Sequence, residues 1–277
     1  MTRITASDPN QLKAGAPVII VGGSSGIGLA SAHRFARNGN KISIVGRDPE
    51  RLETALQLLR NRHAGIEFEA FSADATDADQ INRAFRESAE KLGHPGGLVF
   101  SAGESAPGYW ENMSIADDRE IMEVNYFGVL NCIRAFDPWL KEGSAIALVS
   151  SSIALHGVCG YGAYAPSKFA LRGLAEVLRG EMKARKVSVT LCLPPDTDTP
   201  QLARERPARP VATATFSSLG GTLSPEAVAK NLFKAVMRRR FLAIPSFSLR
   251  LLYLFSGFVA PILRWYQVQL IRRERDD

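Results

Sequence analysis

Tyr164 and Lys168 stand four residues apart at the start of a stretch with helical spacing, so a phenol and an ammonium share one helix face. A tyrosine ionises at about pH 10, and a cation beside it lowers that value enough for proton exchange near neutrality. Ser151 precedes Tyr164 by thirteen residues, at the end of the β-rich run AIALVS, where a hydroxyl would face the same site. Tyr161 competes with Tyr164, but four positions beyond it stands Ala165 rather than a lysine. Ser150 and Ser152 compete with Ser151 and, on a strand, would point to the opposite face. His156 lies in the same loop and receives no role, because a loop histidine more often packs or is solvated than catalyses.

A second group of residues suits a phosphate. The run PVIIV leads into VGGSSGIG and then an amphipathic segment, with Gly22, Gly26 and Gly28 around Ser24, Ser25 and Ile27. Such a turn lets backbone approach a pyrophosphate and aims helix N-terminal N–H groups at it. The next β-rich run ends in KISIVGRD. An acid at that tip would bind a ribose 2′-hydroxyl; here Gly46 is followed by Arg47, whose guanidinium can fork onto a 2′-phosphate. The cofactor expected is therefore NADP(H). A solvated surface charge is the plain alternative for Arg47. Asp48 and Asp77 read as helix caps, and Asp74 as an acceptor for the adenine amino group.

The elements that must position these groups are visible as alternation. β-Rich runs at 17–21, 41–45, 66–72, 97–101, 145–150 and 187–193 are separated by helical spacing at 26–38, 49–63, 77–92, 115–140 and 164–185. Apolar strands alternating with helices imply an α/β fold, a doubly wound parallel sheet of Rossmann type with ligands outside the strand carboxyl ends. A helix at 225–239 and a strand at 241–245 would complete the sheet. The Pro-, Thr- and Ser-rich segment 194–222 is too long for an ordinary loop and reads as a lid over substrate. The 277 residues, 45% apolar and 22% charged, exclude a disordered or collagenous chain. Cys132, Cys159 and Cys192 are too scattered for a disulfide framework or a metal site, and the opening MTRITASDPNQLK is too polar for a signal peptide. The net charge of +6 is uneven: from Lys230 onward ten Lys/Arg oppose three Asp/Glu. An acidic body with a basic tail argues against nucleic-acid binding and for a cytosol-facing protein whose tail meets an anionic surface.

Taken together, VGGSSGIG, Ser101-Ala102-Gly103, Asn125 in VNYFG, Ser151 and the Tyr164–Lys168 pair resemble the short-chain dehydrogenase/reductase family over residues 15–245. Val21 and Ser101 stand where the family pattern has threonine and asparagine, which removes two polar anchors. The resemblance implies that Tyr164 protonates a carbonyl oxygen, Ser151 hydrogen-bonds it, Lys168 holds the nicotinamide ribose and Asn125 orders a relay water. It also implies that Ala102, Gly103, Pro195, Thr197 and Thr199 line the cofactor. Singly, each has a plainer reading: packing for Tyr164, a turn hydroxyl for Ser151, a helix polar residue for Asn125, a capped turn for the threonines.

PPDTDTP (194–200) and KFALRGLAEVLRGEM (168–182) resemble the 3-ketodihydrosphingosine reductase branch of that family, whose members reduce a long-chain keto-lipid with NADPH. Another ketone, either a 3-oxoacyl thioester or a steroid, stays open, as does a non-catalytic NADP(H)-binding sensor or scaffold. The tail carries thirteen uncharged residues, LLYLFSGFVAPIL, between Arg250 and Arg264. A spanning helix needs about 20 apolar residues, so an interfacial segment is expected, peripheral to the membrane's cytosolic face. The expected division is a reductase domain over 1–245 and a membrane-associating tail over 246–277. Truncation after Pro245 should then spare cofactor binding. Packing on the domain or in a homo-oligomer is the alternative for the tail.

Overall fold

The computed structural model describes residues 12–276; most of the polar opening segment lies outside the described residues. Among the described residues nine strands occur: β1 (Val18–Val21), β2 (Ile42–Gly46), β3 (Phe68–Ser72), β4 (Gly97–Phe100), β5 (Ala145–Val149), β6 (Ser188–Cys192), β7 (Asp196–Thr197), β8 (Thr222–Leu223) and β9 (Leu242–Ala243). Seven form one parallel sheet in the order β3-β2-β1-β4-β5-β6-β9, and β7 pairs with β8 separately. The helices are α1 (Gly26–Ala36), α2 (Pro49–Arg62), α3 (Ala78–Leu92), α4 (Ile115–Met122), α5 (Gly128–Phe136), α6 (Tyr164–Ala184), α7 (Pro200–Glu205), α8 (Val211–Ser218), α9 (Pro225–Met237), α10 (Phe247–Leu254) and α11 (Ser256–Asp276). The doubly wound sheet follows from period-2 alternation inside apolar strands. On β1, Ile19 and Val21 join the core under α3, α5 and α6, while Val18 and Ile20 join the core under α1, α2 and α9. Because β1 has β2 on one side and β4 on the other, the chain reverses direction there, and a cleft opens at the carboxyl ends.

Three places differ from the expected pattern. The stretch 115–140 is not one helix: a π-helical turn, Glu123–Phe127, separates α4 from α5. Extra-residue turns of this kind re-aim side chains, and this one turns Asn125 into the interior. The segment 194–222 carries two short helices, and its ends are tied together by the β7–β8 pair.

The tail is the third. α10 and α11 are bent by 107°, and no single helix among the described residues is long and apolar enough to cross a membrane. Leu270 packs against Ala212 and Phe216 of α8, with Leu263, Tyr266 and Ile271 alongside. Packing therefore crosses the boundary expected at residue 245. The carboxylate of Glu274 accepts from the backbone N–H groups of Val211 (3.1 Å) and Ala212 (2.7 Å), capping α8 from the far end of the chain. It also accepts from the Tyr109 hydroxyl at 2.6 Å.

Candidate active site

The phosphate end is built where β1 passes into α1. Gly22 has a φ of +79°, and a Cβ there would lie 2.5 Å from the Ala102 backbone nitrogen; one at Gly28 would strike the Gly22 carbonyl oxygen. Only glycine allows the first turn to lie against the β4 turn and α1 against the first turn. Asp48, Asp77, Ser114, Thr199 and Ser224 cap the helices they precede, as expected for the first two, whereas Ser25 makes no side-chain cap to α1. The first turn of α1 also has no acid, so its N–H groups face the groove ready for an anion. Gly22, Ser24, Ser25, Gly26, Ile27, Arg47, Asp74, Ala102, Gly103 and Thr199 all line this groove. Asp74 is engaged locally, its Oδ1 accepting from the Thr76 N–H and hydroxyl. Arg47 is 58% exposed and reaches across the groove to Glu104 at 2.8 Å. Arg51, four residues on, lines the same wall and donates to Ser25 Oγ at 3.1 Å. The sequence reading missed Arg51, though its spacing from Arg47 marks it. These residues suit an NADP-type dinucleotide: an uncapped helix end for the pyrophosphate and two guanidiniums where the 2′-phosphate would fall.

At the adjoining end, Ser151, Tyr164 and Lys168 meet in a pocket of about 320 Å³. Ser151 follows β5, where its Oγ accepts from the Ile153 N–H at 3.2 Å, and it lines the same pocket as the Tyr164 phenol. Ser150 points away and donates to the Lys168 carbonyl, and Ser152 opens the next helical turn. Pro166 sits in the first turn of α6, where its missing N–H costs nothing. Lys168 is buried, with Nζ 5.5 Å from the centre of the Tyr164 ring. Burial lowers its pKa to about 8, partly offset by the charge of Glu205. Burial, then the charge on Glu205, holds the Tyr164 phenol above its ordinary value, while the nearby Ser151 hydroxyl pulls the other way. The lowering expected from a neighbouring cation is thus outweighed. The Asn125 amide donates to Glu104 O and Ser167 Oγ, both at 2.9 Å, and accepts from Glu104 N at 3.0 Å. It pins the Gly103–Glu104 turn beside Lys168. Thr197 donates to Pro195 O, and Thr199 caps α7 with its methyl group toward Gly26. Pro195, Thr197 and Thr199 all face the pocket.

The model of the short chain dehydrogenase family matches residues 16–210. The chain belongs to that family. This short-chain dehydrogenase is 38% identical over 242 residues to a 3-dehydrosphinganine reductase of Danio rerio, covering 84% of this chain and 72% of the relative. It is 37% identical over 249 residues to a 3-dehydrosphinganine reductase of Arabidopsis thaliana, covering 88% and 74%. Among solved structures it is similar to a short chain dehydrogenase from Burkholderia cenocepacia in complex with NADP, with a TM-score of 0.74, 26% identity and coverage of 86% and 96%.

Two features of this short-chain dehydrogenase's pocket were not singled out in the sequence. Glu205, Arg209 and Asp196 form a partly buried ionic cluster on its wall, with Arg209 bonded to Asp196 at 2.6 Å and 3.2 Å and to Glu205 at 3.0 Å. Tyr161, the tyrosine set aside, donates to Glu205 Oε2 at 3.0 Å. The other feature is the tail, whose Ser248, Leu249, Leu252, Val259 and Leu263 line the same pocket. His156 joins lid and tail: it stacks on Phe216 of α8 and meets Gln267 of α11 at 2.8 Å. Gln267 also accepts from the Cys159 N–H and donates to Gly157 O.

Proposed function

We propose that the chain reduces the 3-keto group of a long-chain aminoketone of the 3-ketodihydrosphingosine type with NADPH, a step of sphingolipid synthesis, at a membrane surface. The carrying observation is that Ser151, Tyr164 and Lys168 share one pocket with an apolar wall supplied by α10 and α11. The names of the similar reductases support the same reading. NADPH, when bound, supplies the hydride for the carbonyl carbon. Gly22, Ser24, Ser25, Gly26, Ile27 and Gly28 hold its pyrophosphate region, Arg47 with Arg51 its 2′-phosphate, and Asp74 its adenine. Ala102, Gly103, Pro195, Thr197 and Thr199 border its nicotinamide end. Tyr164 donates a proton to the carbonyl oxygen, and its raised pKa keeps the phenol in the donating form. Ser151 hydrogen-bonds that oxygen, Lys168 places a positive charge beneath the phenol, and Asn125 fixes the turn against which Lys168 rests.

The membrane part rests on the outward faces of the tail. On α11, Val259, Leu263, Gln267 and Leu270 face the protein, while Phe258 (84% exposed), Ile262 and Trp265 face out. Phe247, Leu251 and Leu254 do the same on α10. A helix pair that is apolar on both faces has one face for the body and one for another apolar phase, and Arg264, Arg272 and Arg273 suit anionic headgroups. The free thiols of Cys132, Cys159 and Cys192 fit a cytosol-facing site.

The test is NADPH oxidation by the purified protein against 3-ketodihydrosphingosine, a 3-oxoacyl thioester and a 3-ketosteroid, with Tyr164→Phe as control. The aminoketone is expected to have the highest kcat/KM, and the variant to lose about 10²–10⁴-fold in turnover while still binding NADPH. Turnover of the thioester or steroid alone overturns the substrate assignment. NADPH binding with no turnover of any ketone points to a sensor.

A further inference from the structure

We propose that Glu205 is the specificity residue of this site, holding the ammonium group that flanks the carbonyl of the substrate. The inference rests on the reading of the substrate as an aminoketone. Glu205 ends α7 with its side chain nine-tenths buried, on the wall of the pocket that holds Tyr164. Three neighbours brace the carboxylate: Tyr161 and Arg209 donate to Oε2, and Gln201 donates to Oε1 at 2.9 Å. A carboxylate accepts about four hydrogen bonds, so a position on Oε1 stays open to a ligand donor.

The charges of the cluster do not balance. Asp196 and Glu205 bring two negative charges against the single guanidinium of Arg209, and Asp196 already takes that guanidinium in a two-point contact. Lys168 forms no ion pair with Glu205 among the described residues, its ammonium lying toward Gly103 and Asn125. Within that trio one negative charge is left over, beside the phenol that must give up a proton, and the Lys168 ammonium in the same pocket offsets it only through space, without an ion pair. That charge opposes formation of the phenolate, so by itself it works against the chemistry. A substrate ammonium next to the carbonyl cancels it at the site of reaction, whereas a neutral ketone leaves it standing. The arrangement therefore selects for a cationic ketone by penalising a neutral one as well as by attraction.

A second observation points to the same polar headgroup. Arg209 Nε is buried and without a hydrogen-bond partner, while the rest of its guanidinium is engaged. An orphaned buried donor on a pocket wall calls for an acceptor. The hydroxyl carried next to the ammonium in a sphinganine-type headgroup supplies one. Ammonium on Glu205 and hydroxyl on Arg209 would leave the alkyl chain to run along Leu249, Leu252, Val259 and Leu263 toward the exposed tail.

The experiment compares kcat/KM for 3-ketodihydrosphingosine with that for the des-amino ketone of equal chain length, in wild type, Glu205→Gln and Glu205→Asp. Wild type is expected to prefer the aminoketone, the ratio to fall at least about tenfold in Glu205→Gln, and Glu205→Asp to keep part of it. A ratio in Glu205→Gln within about twofold of wild type, both substrates falling together, overturns the proposal and leaves Glu205 as a brace for Arg209. Should Glu205→Gln fail to bind NADPH, and so to fold, inhibition of wild type decides. A long-chain alkylamine should then bind at least about tenfold tighter than the alcohol of equal length, and equal inhibition overturns the assignment. Failure of wild type to reduce the aminoketone at all is a separate result, which removes the substrate reading and this inference with it.

Discussion

Lys168 is the titrating group whose position most directly governs the pH response. Buried to the point where its pKa falls to about 8, it is an ammonium below that value and a neutral amine above it. Tyr164 shifts the opposite way and stays a phenol across the working range. The rate of ketone reduction, measured as kcat/KM for NADPH so that it reports the free enzyme, is thus expected to be level below neutrality and to fall as pH rises through about 8. A profile that falls only near the ordinary lysine value, or that rises through this window, contradicts the burial argument. Arg47 carries the second residue-scale expectation. Its guanidinium now pairs with Glu104 in an exposed contact, a bond of small net worth that a 2′-phosphate can displace. Arg47→Ala should cut the NADPH-over-NADH preference about tenfold, seen chiefly in KM. Equal losses with both cofactors would assign Arg47 to folding. The chemical residues were legible because their spacing is local: Tyr164 and Lys168 share one helix face, and the glycines share one turn. Glu205 and Arg209 also stand four apart, but their partners Asp196 and Tyr161 reach them only through the fold, so nothing in the sequence set them apart from a solvated pair.

At the level of elements, the sheet and its covering helices could be read from alternation alone, since continuous apolar strands and amphipathic helices have different periods. The break in 115–140 could not. The π turn keeps helical spacing on both sides, and what holds it is the Asn125 amide bound to the Glu104 backbone, a contact between distant segments. The tail was legible as apolar but not as two-faced, because an unbroken run such as LLYLFSGFVAPIL shows no stripe. Glu274 supplies the test at this scale. It satisfies two N-terminal N–H groups of α8, a helix whose own N-cap, Pro210, makes no side-chain cap. Glu274→Ala should lower stability by about 1 kcal/mol, with faster hydrogen exchange confined to 211–214 and the last turn of α11. Hydrogen bonds to Tyr109 and α8 hold the Glu274 carboxyl below its ordinary value against the opposing effect of burial. Its contribution is therefore present above the unfolded carboxylate value and lost as pH drops through the lower folded one. Unaltered exchange in α8 would show that Glu274 is not its cap.

For the whole molecule, the pocket has one wall from the sheet, one from the lid and one from the tail, so the tail cannot be removed without opening it. Truncation after Pro245 should cost activity on a water-soluble ketone as well as on a lipid, contrary to the division at 245 expected from sequence. Outward-facing substitutions separate the two duties: Phe258→Ser with Trp265→Ser should abolish co-sedimentation with anionic liposomes while activity on the soluble ketone persists. Salt should weaken the wild-type association as headgroup attraction is screened over about 8–10 Å. Liposome binding that survives both substitutions would place the contact elsewhere. The cap that Glu274 sets on α8 also orders the chain's own birth. Synthesis adds roughly 5–20 residues per second, so the ribosome completes the sheet at β9 a few seconds before it adds the residue that fastens the lid. Until α11 docks, the chain can hold a finished nucleotide groove while Phe216, Leu249 and their apolar neighbours lie uncovered. The newborn protein is therefore most exposed to aggregation, and most in need of a chaperone or a nearby bilayer, just before its last helix docks.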